Sequence, residues 1–316
     1  MSTVNTMRAI SQDVLGGPEV LKEVQVERPA PRPNEVLIRV RAAGVNPTDW
    51  KHRATGGFLG EPPFVLGWDV SGVVEATGIG VARFKPGDEV FGMLSYPFGH
   101  GSHAEYVTAP ARAFAHKPSG IDHIQAGALP LVSLTAWQAL VETADIQPGQ
   151  RVLIHAAAGG VGHVAVQIAK ARGAYVIGTA SAGKHDFLRE IGVDEAIDYR
   201  ETDFAEAVKD VDVVLDTIGD EYSVRSLRVL RQGGIVVSIL PVGSADFYEE
   251  AERIGVRAVR MLVDASHTGM KAIAALVEAG KLRATIADTF PLADAAEAHA
   301  LGDTGRTTGK LVLVVD

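Results

Sequence analysis

Residues 151–162 read Arg151-Val-Leu-Ile-His-Ala-Ala-Ala-Gly-Gly-Val-Gly162, and an apolar-periodic stretch, 163–170, follows at once. An apolar run that ends in a glycine turn and opens a helix is the shape of a dinucleotide-binding βα unit. The reason lies in the helix start. Its first amides have no internal partners and sit at the positive end of the helix dipole, so a pyrophosphate docks there. Small residues at Ala156, Gly159 and Gly162 let the backbone turn tightly, approach phosphates and pack close to the strand, and Gly160 and Val161 complete the turn. Glycine turns between strands and helices are common, so context has to decide.

Outward from the turn, strands and helices alternate. Residues 152–154, 175–179, 196–198, 213–216 and 235–239 read as strands, with helices predicted at 162–172, 184–191, 203–209 and 222–230. Near-continuous Val/Ile strands between helices mean a parallel sheet covered on both faces, and right-handed crossovers make it doubly wound. A further strand, 258–263, falls at its edge, and an Ala/Leu-rich helix, 125–143, precedes it. The first 120 residues have another texture. Short β-branched runs at 24–26, 36–40, 70–75, 89–91 and 104–107, punctuated by Pro and Gly, predict a barrel-like or sandwich-like domain. After a helix at 270–279 comes Lys310-Leu-Val-Leu-Val-Val315, a strand too late to extend the dinucleotide sheet and expected to return to the first domain.

The 316 residues suffice for two domains with a large core. A net charge of −9 with no basic run argues against nucleic acid and anionic membranes as partners. Met1–Gly17 has no apolar core and reads as no signal peptide, and the longest apolar stretch, 152–169, is broken by its glycine turn and two histidines, so no membrane span is expected. The chain has no cysteine, which excludes disulfides, thiolate nucleophiles and Cys-ligated zinc and fits a reducing cytoplasm.

The second strand bears on the cofactor. An NAD site usually has an acid at this strand end to hold the adenosine ribose. Here the strand ends Thr179-Ala180-Ser181, with Lys184 close behind and Asp186 already inside the next helix. A hydroxyl and an ammonium welcome a 2′-phosphate that a carboxylate would repel, so NADPH is expected. The competing reading is a helix-capping Ser181 beside a solvated Lys184.

With these pieces placed, the chain resembles the medium-chain dehydrogenase/reductase superfamily, specifically its zinc-free quinone oxidoreductase (zeta-crystallin-like) branch. The resemblance runs nearly end to end. It rests on Gly44-Val-Asn-Pro-Thr-Asp-Trp50, Gly67-Trp-Asp-Val-Ser-Gly-Val-Val74, Lys85-Pro-Gly-Asp-Glu-Val-Phe-Gly92, Gly101-Ser-His-Ala-Glu-Tyr106, Leu134-Thr-Ala-Trp137, the turn itself, and Gly305-Arg-Thr-Thr-Gly-Lys-Leu-Val-Leu313. It implies a Rossmann domain, 122–263, inserted into a GroES-like β-rich domain made from 1–121 and 264–316, and a homodimer paired through the 258–263 edge. Zinc-dependent members carry Cys where Asn46 stands and a His-Glu pair where Trp68-Asp69 stands. An amide and an indole are not zinc ligands, so a metal-free protein is expected. His100 and His103 read as a solvated loop pair.

Without a Lewis acid, alkoxide chemistry loses its usual support. Hydride transfer to a quinone or an α,β-unsaturated carbonyl needs less, because the charge spreads to a distant oxygen. The resemblance puts Asn46 first as a neutral amide near nicotinamide and carbonyl, with Asp49 and Trp50 shaping the same wall and the Thr135 hydroxyl on the nicotinamide side. A turn asparagine and a plain helix hydroxyl are the rival readings for Asn46 and Thr135. Tyr199 resembles the family tyrosine beside the 2′-phosphate and adenine. Thr217 and Leu240 follow strands at the carboxyl edge, where such sheets bind ligands, and Lys310 matches a family lysine near the cofactor, with a basic residue in a turn before a strand as the rival reading. Tyr96 and His100 sit on a loop fit for a proton donor, without a placement from sequence. Two alternatives stay open: an enoyl reductase of lipid or polyketide metabolism, and a non-catalytic NADPH-binding redox sensor or structural protein.

Overall fold

The computed structural model describes residues 5–241 and 246–316. The chain forms two compact units, Met1–Leu131 with Asp264–Asp316, and Val132–Val263. Of the N-terminal stretch discussed above, residues 1–4 lie outside the described residues.

The first unit opens with β1 (Thr6–Gln12), β2 (Lys22–Glu27) and β3 (Glu35–Val45), followed by helix α1 (Pro47–Thr55). Next come β4 (Phe64–Val65), β5 (Asp69–Thr77), β6 (Glu89–Met93), β7 (Tyr106–Pro110), β8 (Phe114–His116) and helix α2 (His123–Gly127). The eleven-residue β3 is its spine, antiparallel to β5 and to β7. Ile38, Val40, Val70, Phe91 and Phe114 are buried around it.

The second unit begins in helix α3 (Pro130–Trp137), whose first two residues belong to the first unit. The predicted helix 125–143 is therefore two helices and a π-type turn, 138–143. The break falls at Pro130, which has no N–H to continue a helix but suits a first helical position. The same break sets the boundary ten residues beyond 121. Segment 122–131 stays with the first unit because Ser71 Oγ meets His123 Nδ1 at 2.8 Å and the Leu131 amide donates to Asp69 Oδ1 at 2.6 Å.

Six parallel strands follow: β9 (Arg151–Ile154), β10 (Tyr175–Ala180), β11 (Glu195–Asp198), β12 (Val211–Asp216), β13 (Leu230–Ser238) and β14 (Arg257–Arg260). Their order is β11-β10-β9-β12-β13-β14, so the winding reverses between β9 and β12. That is the doubly wound, Rossmann arrangement, and the reversal opens a crevice at the carboxyl ends of these two strands. Leu153, Ile177, Val214 and Val236 bury one face of the sheet against Phe204, Leu227 and Phe247. Helix α4 (Gly160–Ala171) starts directly above β9.

The chain then completes the first unit. β15 (Ile286–Pro291) pairs parallel with β16 (Lys310–Val314), and β16 lies antiparallel on β3 with Val312 opposite Gly44. The last strand thus returns to the first domain, as expected, while β15 is a strand that the sequence reading missed. Its residues, Ile-Ala-Asp-Thr-Phe-Pro, are half polar because it forms the sheet edge. Among the described residues no helix is long and apolar enough to cross a membrane.

Candidate functional site

In the second unit, Ala156 takes a left-handed conformation (φ 46°) at the end of β9, rare for a residue with a Cβ and held by its surroundings. Its amide donates to Thr179 Oγ1 at 3.1 Å, and the Ala157 amide to the Thr179 carbonyl at 2.9 Å. Gly159 is the N-cap of α4 and offers no side chain to cap it. The first-turn amides of Gly160, Val161 and Gly162 therefore face out of the helix without internal acceptors. Gly162 is required by contact. An added Cβ would lie 2.3 Å from the Ala156 carbonyl oxygen and 2.7 Å from Ala157 Cα. An open amide cluster on a tight, side-chain-free turn fits a dinucleotide pyrophosphate.

The rim of this crevice is tied down by a residue that sequence reasoning missed. Asp216, fully buried at the end of β12, accepts from the Ile218 and Gly219 amides at 2.9 Å and from the Ser223 and Ser238 hydroxyls. Beside it, Thr217 Oγ1 donates to the His155 carbonyl at 2.7 Å. Leu240 is half-buried beyond β13, two residues before the segment 242–245, which lies outside the described residues. Thr135, on α3, is buried at 4% exposure.

At the ends of β10 and β11 stand Ser181, Lys184 and Tyr199. Ser181 heads the turn 182–184 but makes no side-chain capping bond, which removes the competing reading of it as a cap. Lys184 is close enough to Tyr199 and Arg200 to feel both. Partial burial lowers its pKa most, Tyr199 opposes that, and Arg200 adds to it. The Arg200 guanidinium lies 5.8 Å from the Tyr199 ring centre. Arg200 is a second cation that the sequence reading passed over; the pair Tyr199-Arg200 directly after β11 was the available signal. The Asp198 carboxylate at the end of β11 accepts from the Ala182 and Arg200 amides.

In the first unit, Asn46, Asp49, Asp69 and Lys310 meet in one cluster, each at most 2% exposed. Asn46 is the N-cap of α1, and its amide N–H donates to Asp49 Oδ2 at 2.6 Å. Asn46 Oδ1 accepts from Lys310 Nζ, and Asn46 Nδ2 donates to Asp69 Oδ2 at 2.8 Å. An ammonium only donates and a carboxylate only accepts, so the orientation of the amide is fixed. Lys310 also donates to the Val45 carbonyl at 2.9 Å and stands 3.6 Å from Asp69 Oδ2. The close packing needs Gly44, where a Cβ would fall 2.4 Å from Asp69 Oδ2. The Lys310 ammonium is engaged by the Val45 carbonyl, Asn46 and Asp69. The Asn46 amide is likewise saturated inside the protein, which makes it an organiser of the cluster.

Burial pushes Asp69 up and Lys310 down, and the charge of each opposes the shift of the other. Asp49 is pushed up to about 8 by burial, against the pull of the Asn46 amide and of Lys310. Burial thus opposes the charged form at all three positions, and the attraction between Lys310 and the two acids favours it. The sign of the linkage follows. Above the ordinary value of 3.8, folding holds a proton on Asp49 that the unfolded chain has lost, so stability falls as pH rises towards about 8. Asp49→Asn keeps an acceptor for the Asn46 amide and removes this titration. Between pH 6 and pH 9 the wild type is expected to lose on the order of 2 kcal/mol more than D49N, read from urea midpoints. Equal losses would show that Asp49 does not hold the proton.

Trp68, beside Asp69, is fully buried and donates from Nε1 to the Pro97 carbonyl at 3.2 Å. His103 is not a solvated loop residue. It is fully buried, and burial pushes its imidazole down to about 3, so it is neutral. The Ile10 amide draws it inward by donating to the His103 carbonyl at 2.9 Å. His100 is half-buried with Nδ1 2.6 Å from the Val65 carbonyl. Among the described residues no three His, Asp or Glu side chains gather as a metal cluster.

Family models match both parts of the chain, one described as an alcohol dehydrogenase GroES-like domain over residues 32–119 and one as a zinc-binding dehydrogenase over 191–313. The quinone oxidoreductase of Coxiella burnetii superposes with a TM-score of 0.93 at 38% identity, covering 99% of this chain and all of that one. The Escherichia coli quinone oxidoreductase, solved in complex with NADPH, gives 0.88 at 30% identity over 97% and 99% of the two chains. A 2-haloacrylate reductase from a Burkholderia species is 36% identical, covering 95% of this chain and 96% of its own.

Proposed function

Because the chain belongs to the medium-chain dehydrogenase/reductase superfamily, in its zinc-free quinone oxidoreductase branch, we propose that it is an NADPH-dependent reductase of quinones and α,β-unsaturated carbonyls. The observation that carries the cofactor half is the end of β10, where an uncapped Ser181, Lys184, Tyr199 and Arg200 gather with no acid on the strand end. The amides of Gly160, Val161 and Gly162 would hold the pyrophosphate, with Ala156 and Gly159 shaping the turn. Ser181, Lys184, Tyr199 and Arg200 would hold the 2′-phosphate and adenine. Thr217 and Leu240 would border the crevice, and Thr135 would present its hydroxyl to the nicotinamide. NADPH supplies a hydride there. The remaining work is to bind a flat acceptor and to meet the negative charge that develops on its oxygen.

Asn46 and Asp69 of the buried cluster, with Trp68 beside them, stand at the positions where zinc-dependent members carry ligands. The cluster's amide and ammonium are consumed internally, so Asn46 and Asp49 act as positioning residues that fix the start of α1. The relative named for reducing a 2-haloacrylate, an activated C=C bond, supports the enone half. We place the protein in the cytoplasm as a homodimer joined through β14, an outer strand of its sheet.

The test is NADPH oxidation against a panel of quinones and enones, repeated with NADH. Oxidation by none of them, despite tight NADPH binding, would point to a sensor instead. The same assay checks the phosphate contact. Lys184→Ala is expected to lower kcat/KM for NADPH about tenfold, the low end for one charged hydrogen bond at a half-exposed position, and to leave NADH unchanged. Equal losses with both cofactors would move Lys184 out of the phosphate site.

A further inference from the structure

Close to the buried charge cluster, four aromatic rings of the first unit face one another. Trp68 and Tyr96 lie 5.3 Å apart between ring centres, Trp68 and His52 5.2 Å, and Tyr96 and Phe58 6.2 Å. Trp68 and His52 are buried, Tyr96 is half-buried, and Phe58 is 52% exposed, so the group opens to its surroundings on the Phe58 and Tyr96 side. The Trp68 bond to the Pro97 carbonyl pins the loop that carries Tyr96.

Inside this group runs a short polar chain with a direction. His52 Nδ1 lies 2.7 Å from the Thr48 carbonyl, which can only accept, so that nitrogen carries the proton. The same Nδ1 lies 3.1 Å from Thr48 Oγ1, and Thr48 Oγ1 lies 3.1 Å from the Tyr96 hydroxyl. A Thr48 O–H turned to the Tyr96 oxygen leaves Tyr96 an acceptor on that side and its own O–H available to a ligand.

Resting on the quinone and enone reading above, we infer that Tyr96 is the proton donor to the acceptor's carbonyl oxygen, with Thr48 and His52 as the residues that position it. For an enone the electrons balance as follows. Hydride from NADPH forms a C–H bond at the β-carbon, the C=C pair shifts, and charge collects on the carbonyl oxygen. The Tyr96 O–H bond breaks and its proton goes to that oxygen. The Tyr96 phenolate, steadied by the Thr48 hydroxyl, takes a proton from water, and the enol tautomerises to the saturated ketone. Phe58, backed by the Trp68–Tyr96 ring pair, supplies an apolar surface suited to a flat conjugated acceptor. Burial raises the Tyr96 phenol above its ordinary value and lowers the His52 imidazole below its own, so the phenol holds its proton at neutral pH.

The variants are Tyr96→Phe and Thr48→Val, and the probes are methyl vinyl ketone and 9,10-phenanthrenequinone. In Y96F, kcat with methyl vinyl ketone is expected to fall about 100-fold, within the range for one general acid, with NADPH affinity unchanged. The solvent deuterium isotope effect on kcat should collapse towards one, which a merely structural role would not cause. The quinone should lose less, since its charge is taken up by an aromatic product. T48V should lower kcat for the enone about tenfold at unchanged KM, the worth of one orienting hydrogen bond. Without NADPH, quenching of tryptophan fluorescence should show phenanthrenequinone binding about three- to tenfold more weakly to Y96F, one neutral hydrogen bond. Y96F turning over methyl vinyl ketone within twofold of wild type overturns the inference alone. A wild type that reduces neither probe overturns the proposed function beneath it.

Discussion

Lys310→Met is expected to cost the fold about 3–5 kcal/mol, the usual penalty for removing one partner of a buried ion pair. Asp69 would keep Asn46 Nδ2 and the Leu131 amide but lose the Lys310 cation in a fully buried position. The Val45 carbonyl and Asn46 Oδ1 would lose their donor at the same time. Urea unfolding at pH 7 measures the loss. Two companions test its cause. Asp69→Asn combined with Lys310→Met should recover much of the stability, because the stranded charge is gone. The single variant should lose less at low pH, where Asp69 can take up a proton. A loss below about 1 kcal/mol for the single variant would mean that the pair contributes no more than an exposed one.

Gly162→Val is expected to weaken NADPH binding at least about 100-fold, the equivalent of losing two charge-assisted hydrogen bonds. The obstacle is backbone. The new Cβ would collide with the Ala156 carbonyl and Ala157 Cα, so the turn must shift as a whole and its amides leave the positions that converge on a phosphate. Gly159→Ala is the control, since its Cβ would come no nearer than 3.2 Å to the Ala156 carbonyl oxygen. Binding is read by fluorescence titration on samples whose circular dichroism shows them folded. Retained affinity in a folded G162V would mean that the turn does not carry the pyrophosphate.

The legibility of this chain follows the range of the interactions. The six-stranded sheet could be read because each strand is a continuous apolar run between helices, and right-handed crossovers leave few ways to order them. The turn after β9 was legible for the same local reason. Features made by distant partners were not. Nothing near Lys310 in sequence announces Asn46, 264 positions away, so the buried contact between them is invisible to a local reading. His103 looked solvated because its burial depends on a backbone bond from Ile10. The polar β15 was passed over since edge strands have only half a face to bury. Asp216 was missed for a similar reason: an acid at a strand end reads as a solvated terminus until the four groups that donate to it are seen.

The pairing of β16 with β3 also fixes an order of events during synthesis. All six strands of the Rossmann sheet precede β15 and β16 in the chain, so that sheet can close while the first unit is still missing two strands. Until residues 310–314 emerge, β3 has an open side at Ala42–Val45 and Asp69 has no cation. The unit that starts first therefore finishes last. A half-made chain carries both an unfilled strand edge and a lone buried charge, and the lysine that answers the charge arrives on the strand that fills the edge.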